Sequence, residues 1–158
     1  MTQERKKEYT LRITQANKTQ MITILYEMVL DYMKEARDAI SIGDKEMANL
    51  KLSHAQSCID ELIRSVNLNF DLGRMLFQIY IFSKKELMMA GINYSIHRIW
   101  KVEQNFKTLH AAYKETEKED TSAPTMGNAQ SVFVGLTYGK YSLNEDVTAS
   151  SLNRGIMA

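Results

Sequence analysis

The stretch TQMITILYEMVLDYMKEARDAISIGDKEMANLKLSHAQSCIDELIRSV, residues 19–66, decides the fold. In its first half Ile22, Leu25, Val29, Tyr32, Ala36, Ala39 and Ile40 recur three or four positions apart, which places them on one face of a helix. In its second half Ala48, Leu52, Ala55, Ile59, Leu62 and Val66 repeat the pattern. Between the halves lie Gly43, which tolerates the positive φ that ends a helix, and Asp44, whose carboxylate can accept from the unpaired N–H groups of the next. So short a connection predicts an antiparallel helical hairpin, with Thr19 as the N-cap of its first arm.

The same periodicity continues downstream. A third helix is predicted from Asp71, its cap, to Ala90, with Gly91 as its stop and with Leu72, Met75, Leu76, Ile79, Ser83, Leu87 and Ala90 inward. A fourth is predicted from about Asn93 to Tyr113, extending to Glu119, with Ile96, Ile99, Phe106, Leu109 and Tyr113 inward and polar Glu103 interrupting the stripe. Short connections between four helices predict an all-α fold, an antiparallel up-down four-helix bundle over residues 19–119. Residues 1–18 read as a mobile N-terminal segment. Residues 120–158 read as a non-bundle C-terminal tail: they hold the only proline, Pro124, and four of the seven glycines, too many breakers for another bundle helix. That tail nevertheless carries Val132, Phe133, Leu136 and Tyr138, which predicts that it packs on the bundle or is partly disordered, the apolar groups occupying a bundle groove.

Composition narrows the function. Twenty basic residues against 19 acidic ones leave a net charge of +1, so no overall field draws the chain to nucleic acid or to a membrane. The segment Met1–Lys7 has no apolar signal region and no apolar run approaches the ~18 residues of a membrane span, which predicts a cytoplasmic protein without membrane insertion. Cys58 is alone and lies within a helical pattern, where a cysteine acts as a small hydrophobe. A di-iron bundle needs Glu-x-x-His pairs, but Lys51, Tyr94 and Lys107 stand three before His54, His97 and His110. With no Gly-rich phosphate loop and no nucleophile elbow either, the expectation is a non-enzyme with no cofactor and no metal.

What the chain has in surplus is apolar surface. In the third helix Met75, Leu76, Phe77, Ile79, Tyr80, Ile81 and Phe82 go most of the way around, more than one core can take. Phe77, Tyr80, Ile81 and Met88 form a second stripe; Met47, Leu50 and His54 on the second helix and Trp100 on the fourth lie off their core lines. Two readings stay open, a central helix covered by its neighbours and the tail, or a groove for another chain. The ten methionines, unbranched and polarisable, lean towards the groove.

Ile13-Thr-Gln-Ala-Asn-Lys-Thr, then Ile22-Thr-Ile-Leu-Tyr26, Ala36 to Ile40, Gly43-Asp44, Ala48-Asn49, and Ala55-Gln56 followed by Ile59-Asp-Glu-Leu62 occur in an order and spacing that resembles the flagellin export chaperones, the FliS family. The likeness runs from about Tyr9 to Tyr113. It implies a cytoplasmic chaperone that binds the C-terminal region of flagellin in apolar grooves, blocks premature polymerisation and hands the subunit to a flagellar export-gate component. On that reading Met47, Leu50, His54, Phe77, Tyr80, Ile81, Met88 and Trp100 are the expected client contacts. Tyr9, Leu11 and Ile13 correspond to a mobile piece that can lie over the client groove, or else form a lead-in packed on the bundle. The chain departs from the family pattern at Tyr80-Ile81-Phe82, at Ala90-Gly91, and at Ala112-Tyr113 with the only Trp at position 100. The other reading is a structural or regulatory helical protein that self-associates, as a possible homodimer, or binds a different helical client.

Overall fold

The computed structural model describes residues 1–126 as five α-helices, with no strand among those residues. They are α1 (Gln3–Gln15), α2 (Lys18–Ser41), α3 (Lys45–Ser65), α4 (Asp71–Asn93) and α5 (Ile96–Glu119). α2 packs against α3 and α5, and α4 packs against the same two, so four helices close a ring around one core. α1 lies outside the ring, on α2.

The α2–α3 turn follows from its sequence: Gly43 has φ 78°, and Asp44 caps α3 by accepting from the Met47 N–H at 2.9 Å. Other termini differ from the sequence expectation. Asn17, not Thr19, caps α2: its side chain accepts from the Gln20 N–H at 2.8 Å while the Gln20 side chain accepts from the Asn17 N–H at 3.0 Å. This reciprocal box satisfies two otherwise orphaned donors, one more than Thr19 could. Asp71 stands in the first turn of α4, where its charge complements the helix dipole, but the cap position is Phe70 and no side chain bonds there. Nor does Gly91 stop α4. The helix runs on to Asn93 and ends where Tyr94 adopts the left-handed region at φ 52°; a side chain at Gly91 would press within 3.0 Å of Asn49 on α3, so this glycine serves close helix packing. The last helix accordingly begins at Ile96 rather than near Asn93, with Ser95 as its cap.

From Gln3 to Gln15 the N-terminal segment is a helix with buried Tyr9 at its contact with α2. Its signal in the sequence is weak because it buries little besides Tyr9, and polar pairs hold it.

In α4 the expected Leu76, Ser83, Leu87 and Ala90 are buried, and Gly73 and Tyr80 complete the line in place of Leu72, Met75 and Ile79. The buried line is Gly73, Leu76, Tyr80, Ser83, Leu87 and Ala90, at the 3.6-residue period, whereas Leu72 and Met75 are exposed. Ile96, also expected inside, is 39% exposed. Small residues at 73, 83 and 90 let α4 approach its neighbours, and Tyr80 enters the core because its hydroxyl meets that of Tyr26 at 2.5 Å. Tyr26, Tyr80 and Phe106 stack edge-on and tilted around that bond, with ring centroids 5.6 to 6.3 Å apart. Glu103 does not merely interrupt the α5 stripe; it is buried and pairs with Arg37 of α2 at 3.0 Å. A buried carboxylate without that partner would carry a large desolvation cost.

Candidate functional site

With Gly73, Leu76, Tyr80, Ser83, Leu87 and Ala90 turned inward, the remaining apolar residues of α4 fall on two flanks. Phe77, Ile81 and Met88 share a face with Lys84, whose ammonium reaches Asp60 of α3 at 2.6 Å, so this flank borders α3. Ile81 is 45% and Met88 54% exposed, and Phe77 is half-buried. Leu72, Met75, Ile79 and Phe82 share a face with Glu86, which Arg98 of α5 meets at 2.8 Å, so the other flank borders α5. Leu72, Met75 and Phe82 are all exposed there. An ion pair is thus set into each apolar flank, fixing the neighbouring helix while leaving methyls, a thioether and aromatic edges at the surface.

The predicted contact residues do not form one groove. Phe77, Ile81 and Met88 are brought together, but Tyr80 is 1% exposed and belongs to the core. The reason is the hydroxyl partner Tyr26, invisible when the helix is read alone. Met47 and His54 lie on the α2-facing side of α3, the side where Lys51 meets Glu35 of α2 at 2.6 Å. Met47 is exposed and lines an open cleft of about 710 Å³ with Ala39, Ile42 and Lys51. His54 packs its ring 5.1 Å from that of Tyr32; burial, with Lys51 and Lys6 nearby, pushes its pKa down, so the imidazole is neutral at pH 7. Leu50 is exposed on the outer side of α3. Trp100 is exposed near the start of α5 and stacks on His97, ring centroids 5.9 Å apart. The flank of Leu72, Met75 and Phe82 was missed because Leu72 and Met75 had been counted as core. Its signal was Gly73, which continues the inward line of Ser83 and Ala90 to the start of the helix.

α1 is fastened to α2 by polar contacts. The Tyr9 hydroxyl donates to Asp31 at 2.7 Å, and Arg5 reaches the same carboxylate at 3.1 Å. Arg12 bonds both oxygens of Glu27, at 2.5 and 3.0 Å, and His110 of α5 lies 3.2 Å from that carboxylate. Burial opposes the charge on Glu27, but Arg12 and His110 outweigh it and hold the pKa below the usual carboxylate value. The Tyr9 phenol is pushed well above its ordinary value by burial and by Asp31. Leu11 is exposed, while Ile13 packs with Tyr9, Ala16 and Ile24. Of Tyr9, Leu11 and Ile13, the first and last therefore anchor the helix and Leu11 does not. Val132, Phe133, Leu136 and Tyr138, expected to occupy a groove, lie outside the described residues.

Among the described residues no group of three or more His, Cys, Asp or Glu side chains could hold a metal ion, and no helix is long and apolar enough to cross a membrane. Cys58 is buried and its thiol is pushed up to about 11 by burial, which leaves no thiolate for catalysis at neutral pH. Residues 1–126 thus present an all-helical body with a filled core and apolar side chains left on its surface. The family model described as flagellar protein FliS matches residues 1–120, and the chain belongs to that family, one of chaperones in flagellum assembly. No curated protein matches it.

Proposed function

We propose that this protein is an export chaperone that binds the C-terminal segment of flagellin, keeps it from polymerising early, and delivers it in the cytoplasm to the flagellar export apparatus. The observation that carries this reading is the pair of exposed apolar flanks on α4, on either side of a core line that is already filled. A helix fitted to its own core needs one apolar stripe; this one has three. Amphipathic client helices laid along α4 would cover Ile81 and Met88 against α3, and Met75 and Phe82 against α5, in the helix-in-groove mode. The antiparallel up-down four-helix bundle is the rigid platform of this reading. α1, held by charges more than by burial, is its displaceable piece.

The test is calorimetric titration of the full chain with a flagellin C-terminal segment, together with its Ile81→Asp and Met75→Asp variants. A one-to-one complex with a large negative heat-capacity change, weakened by either substitution, supports the reading. Absence of binding by the unmodified chain refutes it.

A further inference from the structure

At the end of the ring where α5 terminates, the described chain turns back on itself. The Asp120 carboxylate accepts from the Thr19 hydroxyl at 2.5 Å, the Asn17 amide donates to the backbone oxygens of Asp120 and Ser122 at 3.4 Å, and the Thr125 N–H donates to the Ala16 carbonyl at 3.0 Å. Ala16 and Asn17 are both buried, so the segment from residue 120 to 126 is strapped across the α1–α2 junction. The strap delivers Met126 to the wall of an apolar pocket of about 410 Å³, formed with Ile13, Met21, Ile22 and Leu25. A second pocket, of about 230 Å³, opens beside it over Leu72, Leu76 and Tyr113. The two share Lys18, Ile22 and Ser65, so they form one trough running from Met126 to the exposed side chains of Phe70 and Leu72.

We infer that the tail of this chain folds back in cis and seats Val132, Phe133, Leu136 and Tyr138 in that trough. Three features of the chain select this occupant. The chain leaves Met126 at the mouth of the trough, with 32 residues still to come. From Gly127 to Gly139 it carries no charged residue, matching walls whose only charged members are Lys18 and Glu61 and whose other members are mostly apolar. The tether is also short: the six residues from Met126 to Val132 span at most about 20 Å, less than the ~36 Å length of α2, so the apolar run is held near this end of the ring. Such a tether gives an effective concentration in the millimolar range, enough for a few apolar contacts to hold. The strap is thus the anchor and the trough the seat. This inference does not rest on the flagellin reading, since it needs no client, although Leu72 belongs both to the trough and to the α5-side flank of α4.

Hydrogen–deuterium exchange of the full chain, read by mass spectrometry at two protein concentrations, tests it without any partner. Amides of residues 132–138 should exchange at least ~tenfold more slowly than in an unstructured chain, equally at both concentrations. The double variant F70D/L72D, at exposed rim positions, should remove that protection and leave α2 and α3 amides unchanged. Phe133→Asp, outside the described helices, should do the same from the other side. Unprotected amides in the unmodified chain would overturn the inference, as would protection that survives both variants. Protection that grows with concentration would assign the trough to a second copy and overturn it equally.

Discussion

Tyr80 and Ile81 are neighbours in sequence and opposites in structure, so replacing each in turn separates core from contact surface. Tyr80→Ala removes an aromatic side chain of 1% exposure, a class of deletion that costs about 3–5 kcal/mol. It also strips the Tyr26 hydroxyl of its 2.5 Å partner, and a buried hydroxyl left unpaired adds about 1–3 kcal/mol, partly offset if Tyr113 takes over the bond. Against a total stability of roughly 5–15 kcal/mol, a loss of at least ~4 kcal/mol is a large fraction. Ile81→Asp exchanges a side chain that is already 45% exposed and should shift stability by only about 0.5–1 kcal/mol. On the binding side the order inverts. An isoleucine covered by client contributes about 1.5–3 kcal/mol when fully buried, about half of it for the exposed fraction here, and an aspartate forced under the client adds desolvation cost of about 1–3 kcal/mol. The sum, roughly 2–4 kcal/mol, corresponds to about 30- to 1,000-fold weaker binding. Urea unfolding reads the first effect and calorimetry with a flagellin C-terminal segment the second. Equal destabilisation by the two substitutions, or unchanged affinity in Ile81→Asp, would refute the division of α4 into a core line and contact flanks.

Other expectations follow from single contacts. Arg37→Met leaves Glu103 buried and unpaired and should cost about 3–5 kcal/mol in urea unfolding, with much of it restored by adding Glu103→Leu. Gly73→Ala should destabilise by more than the ordinary helix-propensity gain of about 1 kcal/mol, because the new methyl would collide with the backbone carbonyl of Asn67; a rise in Tm would show that the α3–α4 loop yields. Glu27 has a lowered folded-state pKa, so its contribution is present above the unfolded carboxylate value and is lost as pH falls through the folded one. Exchange of α1 amides should therefore speed up in acid before α3 amides do, and a Glu27→Gln variant should show the faster α1 exchange already at pH 7. Cys58, with its thiol pushed up to about 11, should resist a thiol reagent at neutral pH until denaturant unfolds the chain.

The α2–α3 hairpin was legible, apart from the cap of its first arm, because its signals are local: a periodic stripe, a glycine with φ 78° and an aspartate that caps the next helix. α4 was legible as a helix but not in its rotation. Its inward line keeps the expected Leu76, Ser83, Leu87 and Ala90 but adds Gly73, which no count of hydrophobic residues selects, and Tyr80, whose place depends on Tyr26 across the ring. The same cause moved the surface: once Leu72 and Met75 turn outward, a second flank exists that the sequence reading had spent on the core. α1 escaped because charge pairs to Asp31 and Glu27, contacts of long sequence separation, hold it in place of an apolar stripe. Gly91 shows the converse error, a glycine read as a terminator that is used for the approach of α4 to Asn49. The expected contact residues were picked by exposure on single helices, and exposure does not say which helices adjoin. Hence Phe77, Ile81 and Met88 came together while Met47, His54 and Trp100 went elsewhere.

The most direct measurement is the methyl NMR spectrum of the methionine-labelled full chain titrated with a flagellin C-terminal segment. Met88 and Met75 report the two flanks of α4, and buried Met33 reports the core. The account predicts that the Met88 and Met75 signals shift and saturate at one equivalent while Met33 barely moves. Saturation with both flank signals unchanged, or no change in any of them, would contradict it.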